Sequence, residues 1–269
     1  MPHIVSFSGG VCSFWAAKRT VSRYGKENVI LLFADTLIED EDLYRFNKQA
    51  QDHLGVPITR IADGRTPWQV FRDEHLIGNT HADICSRILK RELIWSWIRG
   101  HFFAFGPDPA VVHLGMDFSE FSRLAEVQAN NRDYLITAPM CEGELWDKCR
   151  MLEELKSIGI APPRLYSFGF PHNNCGGFCV KAGISHFVHL HDVLPKVFAT
   201  HEQEELFTQQ WLRERGVSNW QYTILLDRRG GKTKPLLLRD LRLRIEAGEK
   251  FPRDEWGGCG CAVSYQAAA

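Results

Sequence analysis

The chain of 269 residues has almost no net charge, since 32 Lys and Arg against 33 Asp and Glu leave −1 at pH 7. It also lacks a long apolar run. Stretches such as Asn28 to Phe33 are far too short to cross a bilayer, which excludes a membrane span and implies no membrane partner. The start, MPHIVSFSGG, has neither a basic n-region nor a small-residue cleavage site, so the expectation is a cytoplasmic chain. No internal repeat or low-complexity segment is visible, and with 44% hydrophobic and 24% charged residues a disordered or fibrous protein is excluded. There is no Gly-Lys-Ser/Thr, hence no Walker A loop. Zinc-ribbon CxxC pairs are missing as well, although eight cysteines are present.

The order of apolar runs points to a doubly wound α/β fold. Ile4 to Phe7, Val29 to Phe33, Ile58 to Ile61, Val111 to Leu114 and Tyr134 to Ile136 read as short buried strands. Helical patterns separate them: Ser13 to Tyr24, closed by Gly25; a segment from the acids at 39–42 to Leu54-Gly55; one opening at Thr66-Pro67; and Ser86 to Arg99. Parallel neighbours need such crossovers, so a mostly parallel sheet covered on both faces follows. Ligands in these folds bind beyond the carboxyl ends of the strands. The alternation stops near residue 160. We therefore expect a nucleotide-binding domain over 1–160 and a second region over 161–269, with helices at 184–193 and 196–214, a hairpin around Asp227 to Gly231 and a last helix from Asp240 to Ala247.

The strongest local signal is Ser6-Phe7-Ser8-Gly9-Gly10-Val11-Cys12-Ser13, a strand, a glycine turn and a helix start. Glycines let the backbone approach an anion, Ser8 and Ser13 add hydroxyls, and the helix start offers unpaired amides. A thiolate at Cys12 would also be stabilised there. From Gly9-Gly10 alone, a simple strand-to-helix turn explains the pattern equally well.

Set in order along the chain, further segments make the pattern specific. Ser8-Gly9-Gly10 with Ser13 resembles the PP-loop of the ATP pyrophosphatase superfamily, which includes sulfonucleotide reductases, tRNA thiolases and DNA phosphorothioation enzymes. Phe33-Ala34-Asp35-Thr36 with Glu39 and Asp42, Cys85-Ser86-Arg87-Ile88-Leu89-Lys90, and Gly115 to Arg123 resemble motifs of its phosphoadenosine phosphosulfate reductase-like branch. The resemblance covers roughly residues 4 to 125. It implies an adenine nucleotide alpha hydrolase-like fold, with ATP held by Ser6, Ser8, Gly9, Gly10, Ser13, Asp35, Thr36, Gly115 and Arg123. Many relatives carry Lys-Asp where this chain has Val11-Cys12, which leaves Asp35 as the expected Mg²⁺ ligand. Lys90 and Arg123 would steady the departing pyrophosphate, and Cys85 stands on the catalytic side.

A second constellation joins Cys175 and Cys179 to Cys259 and Cys261, each pair set in glycine. Four such thiolates suit an iron–sulfur cluster or, alternatively, Zn²⁺, with Cys85 as an alternative ligand; reversible redox thiols are the other reading. Cys141 and Cys149 read as packing residues. His186, His189 and His191 read as a polar helix face. Arg228, Arg229, Lys232, Lys234, Arg239, Arg242 and Arg244 make a basic region suited to a nucleic-acid backbone or to an ordinary charged surface.

The expected function is an ATP-dependent enzyme that adenylates a substrate, on nucleic acid in one version, for sulfur transfer from a donor protein. The alternatives are a sulfonucleotide reductase and a non-catalytic nucleotide or redox sensor.

Overall fold

The computed structural model describes residues 1–103, 110–219 and 221–251. Cys259 and Cys261 lie outside the described residues.

Strands β1 (His3–Ser6), β2 (Val29–Asp35), β3 (Ile58–Ala62), β4 (Val111–Leu114) and β5 (Leu135–Thr137) form one all-parallel sheet in the order β3-β2-β1-β4-β5. This is the α/β, doubly wound sheet expected from the alternation. Ser6 stands in register with Leu32 on one side and Leu114 on the other, so the strands end along a common edge. The chain builds outward from β1 through β2 to β3, then returns to lay β4 on the other side of β1. That reversal opens a crevice beyond the ends of β1 and β4.

Successive strand residues point to opposite faces, and both faces are covered. Val5 and Leu31 pack with Phe14 and Ala17 of α1 (Val11–Tyr24) and Phe46 of α2 (Glu41–Leu54). Ile4, Leu32 and Val112 pack on the other face with Ile98 and Leu124. The helix starts follow local chemistry. Asp40 caps α2 by accepting from the Asp42 amide, and Thr66 with Gln69 makes a reciprocal capping box at α3 (Pro67–Asp73).

The helix expected over Ser86 to Arg99 is there but is not regular. It runs as α4 (Ile84–Ser86), a π-helical turn Arg87–Glu92, α5 (Leu93–Ile98) and a second π turn Arg99–Phe103. The widened turn carries Lys90 inward, where it is 9% exposed. The helix α6 (Phe121–Asn130) connects β4 to β5, and α7 (Lys148–Ser157) and α8 (Arg164–Ser167) follow β5.

The remainder folds as α9 (Ile184–Val193), α10 (Pro195–Glu214), an antiparallel pair β6 (Leu225–Asp227) and β7 (Lys234–Leu236), and α11 (Leu238–Glu246). Its core joins Phe178, Phe187, Phe198 and Leu241 to Trp68, Phe71 and Ile77 from around α3, so apolar packing crosses residue 160. At its centre Glu205 is fully buried and accepts from the amides of Ile224 and Leu238, tying hairpin and last helix to α10. Burial raises this carboxyl to about 7, against the pull of those two donors.

Candidate active site

A cavity of about 290 Å³ occupies the crevice beyond β1 and β4. Three walls enclose it. Ser8, Gly10, Cys12 and Ser13 come from the β1–α1 turn; Gly115, Asp117, Ser119, Glu120 and Arg123 follow β4; Lys148, Tyr166, His172 and Asn173 come from the second half.

The first wall is built around backbone. Gly9 has φ +74°, the left-handed region that L side chains rarely enter, and a Cβ there would meet Leu43 at 2.8 Å. Gly10 caps α1 without any side-chain acceptor, so the helix start faces the cavity. The Ser8 hydroxyl donates to the Ser13 hydroxyl at 3.3 Å, which donates to the Gly10 carbonyl at 2.8 Å. The Val11 amide donates to the Tyr166 hydroxyl at 3.2 Å. Gly115 explains how the second wall reaches the first: a Cβ on it would lie 2.7 Å from the Ser13 Cα.

Charge is mixed in this cavity. Arg123 pairs with Glu120 one helical turn away, while its buried Nε makes no hydrogen bond. Lys148 donates to the Pro171 carbonyl at 2.6 Å. Asn173 is 2% exposed; its amide nitrogen donates to the Gly9 carbonyl at 2.9 Å, and its Oδ1 accepts nothing. Burial, reinforced by Asp117, pushes the Cys12 thiol well above the usual range. A helix start thus does not make Cys12 a thiolate, since desolvation outweighs the dipole.

Several expected nucleotide ligands stand elsewhere. Asp35 does not line the cavity: its buried carboxylate accepts from the Leu37 amide, the Tyr44 hydroxyl at 2.9 Å and Arg60 Nε at 2.8 Å. Ser6 ends β1 without reaching the cavity wall. Thr36 and Lys90 line a second, apolar pocket of about 20 Å³ together with Cys85, Cys175 and Cys179.

That pocket brings three of the predicted cysteines together from segments about ninety residues apart in sequence, with β4 and β5 lying between them in the chain. Lys90 lies 3.4 Å from the buried Glu39 carboxylate and donates to Cys175 Sγ at 3.5 Å. Glu39 also accepts from the Thr36 hydroxyl and the Cys175 amide. Cys175 adopts φ +51°, a costly conformation for a residue with a Cβ, and Gly176 beside it cannot bear one because Ile38 O would lie at 2.6 Å. Burial, with Cys179 adding to it and Lys90 opposing, pushes the Cys85 thiol up to about 12. Three thiols are apt donors for a soft metal centre. Among the described residues, however, no three His, Cys, Asp or Glu side chains make a metal-ligand group, so a lone Zn²⁺ held by those residues does not fit.

The remaining expectations resolve simply. His186 Nε2 donates to the Gly177 carbonyl at 2.6 Å, buried rather than on a polar face, and burial lowers it to about 4. His189 contacts the Phe168 carbonyl. Four arginines of the basic region are paired with acids: Arg229 and Arg244 meet Asp227 and Glu249, Arg242 meets Glu202 and Glu246, and Arg239 meets Asp240, while Arg228 lies 3.2 Å from the His81 ring. No helix among the described residues is long and apolar enough to cross a membrane. Sequence reasoning missed Lys148 and Tyr166, which no local pattern marks, and left Asn173 beside the cysteines without a role.

Fold and site together define a doubly wound α/β protein with a glycine turn and a helix start open to a cavity at its topological switch point. No family model matches the chain, and no curated protein does. Among solved structures it is similar to phosphoadenylyl-sulfate (PAPS) reductase from Candida auris in a phosphate complex, at 15% identity and a TM-score of 0.45, covering 63% of this chain and 79% of that one.

Proposed function

We propose that the protein is an ATP pyrophosphatase-type enzyme that adenylates an oxygen-bearing substrate for sulfur transfer. The observation that carries this reading is the position of the Ser8–Ser13 cradle, open to a cavity at the switch point and faced by Arg123 and Lys148. Cleavage between the α- and β-phosphates places two anions where one stood, and the α1 amides, the two serines and the two cations are the groups that would offset the charge. Adenylation turns the substrate oxygen into a leaving group; a sulfur nucleophile then displaces AMP, forming the carbon–sulfur or phosphorus–sulfur bond as the oxygen bond breaks.

The pocket of Cys85, Cys175 and Cys179 adjoins this site through the Asn174–Cys175 link, because Asn174 lines one cavity and Cys175 the other. An iron–sulfur cluster on Cys175, Cys179 and the cysteines at 259 and 261, or Cys85, would supply electron or sulfur chemistry at that pocket. In this reading a nucleic acid is the acceptor and a separate protein donates the sulfur.

Incubation of the full chain with labelled ATP and candidate nucleic acids tests the reading. Pyrophosphate release dependent on the acceptor is expected. Sulfite release from an adenylyl sulfate supplied with a dithiol as the two-electron reductant, without ATP cleavage, would replace it with a sulfonucleotide reductase, and nucleotide binding with neither product would replace it with a sensor.

A further inference from the structure

The cavity holds a carboxylate that the architecture does not use up. Asp117 follows β4, is 7% exposed, and turns one oxygen, Oδ1, to the Ser119 amide and hydroxyl, which caps the short turn that follows. Its Oδ2 has no hydrogen-bond partner among the described residues. Glu120 differs, since its carboxylate is taken by Arg123. Asp35 differs too, with both oxygens engaged away from the cavity. A second group points the same way: the buried Asn173 side chain lines this cavity and leaves its amide oxygen without a donor. Small divalent cations choose carboxylate, amide and hydroxyl oxygens beside phosphates, and Ser8 and Ser13 complete such a set.

Resting on the nucleotide reading above, we propose that Asp117, assisted by Asn173, holds a divalent cation against the phosphates in this cavity. The carboxylate reaches the site from the β4 wall. Cys12 on the facing α1 wall offers no oxygen ligand. The close approach of Gly115 to Ser13 is what makes delivery from that wall feasible.

The test uses the full chain, Mn²⁺ as the probe, and electron paramagnetic resonance of free and bound Mn²⁺, with and without a non-hydrolysable ATP analogue. Asp117→Asn keeps the acceptor that caps the turn and removes the charge. It should weaken Mn²⁺ binding by about tenfold or more, while metal-free binding of the analogue is retained. Asp35→Asn should leave Mn²⁺ affinity unchanged. Adding Cys12→Asp to Asp117→Asn should restore it, a rescue that a merely structural role for Asp117 would not produce. If Asp117→Asn does not fold, Cys12→Asp alone still decides, since a second carboxylate facing Asp117 should tighten Mn²⁺ binding. Unchanged affinity in Asp117→Asn, or loss in Asp35→Asn, overturns the proposal. Failure of the analogue to bind wild-type chain would instead overturn the nucleotide reading, and the Mn²⁺ titration without analogue would still decide Asp117.

Discussion

The two pockets differ in what builds them. The switch-point cavity is shaped largely by backbone: a glycine turn, a helix start and a close approach of the segment after β4 to α1 that only glycine permits. The thiol pocket is shaped by side chains, with an ammonium seated between a buried carboxylate and a sulfur, and with backbone strain concentrated at Cys175 and Gly176. A backbone cradle tolerates exchange of many neighbours, whereas a pocket of buried charges and thiols depends on each partner, because an uncompensated buried charge is costly.

The largest effects should come from the glycines on which each pocket turns. Gly115→Ala drives a Cβ into the backbone of Ser13, so nucleotide binding should be lost and stability should fall by about 1–3 kcal/mol. Gly176→Ala meets the Ile38 carbonyl and should cost a similar amount, yet leave nucleotide affinity intact. Calorimetric titration with a non-hydrolysable ATP analogue, beside thermal melts, measures both. Equal loss of nucleotide binding in the two variants would show that the pockets are one unit.

The charged residues sharpen the contrast further. Arg123→Ala should weaken nucleotide binding by about 1.5–3 kcal/mol, the range for hydrogen bonds to a charged group. Lys90→Ala should change nucleotide affinity little and instead alter the alkylation rate of Cys175, because Lys90 stands in the thiol pocket. Parallel titrations and mass-spectrometric thiol mapping separate the outcomes.

Acid should disturb the region around α9 and α10. Burial holds His172 and His201 down to about 3 and His186 to about 4. A histidine lowered on folding is neutral in the native state while the unfolded chain takes up its proton. Stability should therefore fall as pH drops from about 6.5 toward 3, with the unfolded state binding more protons. His201→Asn keeps an acceptor for Trp68 Nε1, which donates to His201 Nδ1 at 3.0 Å, and should flatten that slope in denaturant titrations run across this range. An unchanged slope would remove His201 from the account.

The smallest effect is expected at the ion pairs of the hairpin and α11. Arg239→Ala, which removes the exposed pair with Asp240, should cost about 0.5–1 kcal/mol and should leave the salt dependence of any nucleic-acid binding unchanged. A shallower salt slope would show that this paired region contacts phosphates after all.

Legibility in the sequence followed the range of the interactions. The five strands, the helix start at Thr66, the hairpin and the helices over 184–193 and 196–214 were readable because each is decided by neighbours in the chain. The glycine loop was readable for the same reason. Asp35 and Lys90 sit in segments that look right, yet their orientation depends on Arg60, Tyr44 and Glu39, which local pattern does not connect to them. The arginines of the hairpin and α11 left a nucleic-acid surface and an ordinary charged surface equally open, because their acidic partners include Glu202 on α10 and Glu249 beyond α11.

By itself, the sequence determined an alternating α/β chain of near-zero charge with a glycine cradle after its first strand. Periodicity and glycine placement act over a few residues, which is why they suffice for that much. Only the tertiary structure decided which carboxylate faces the cradle, that Lys148, Tyr166 and Asn173 close it, and that Cys85 meets Cys175 and Cys179. Those outcomes depend on the strand order that folds distant segments onto one edge of the sheet, and on burial, which sets whether each polar group is partnered, charged or left open.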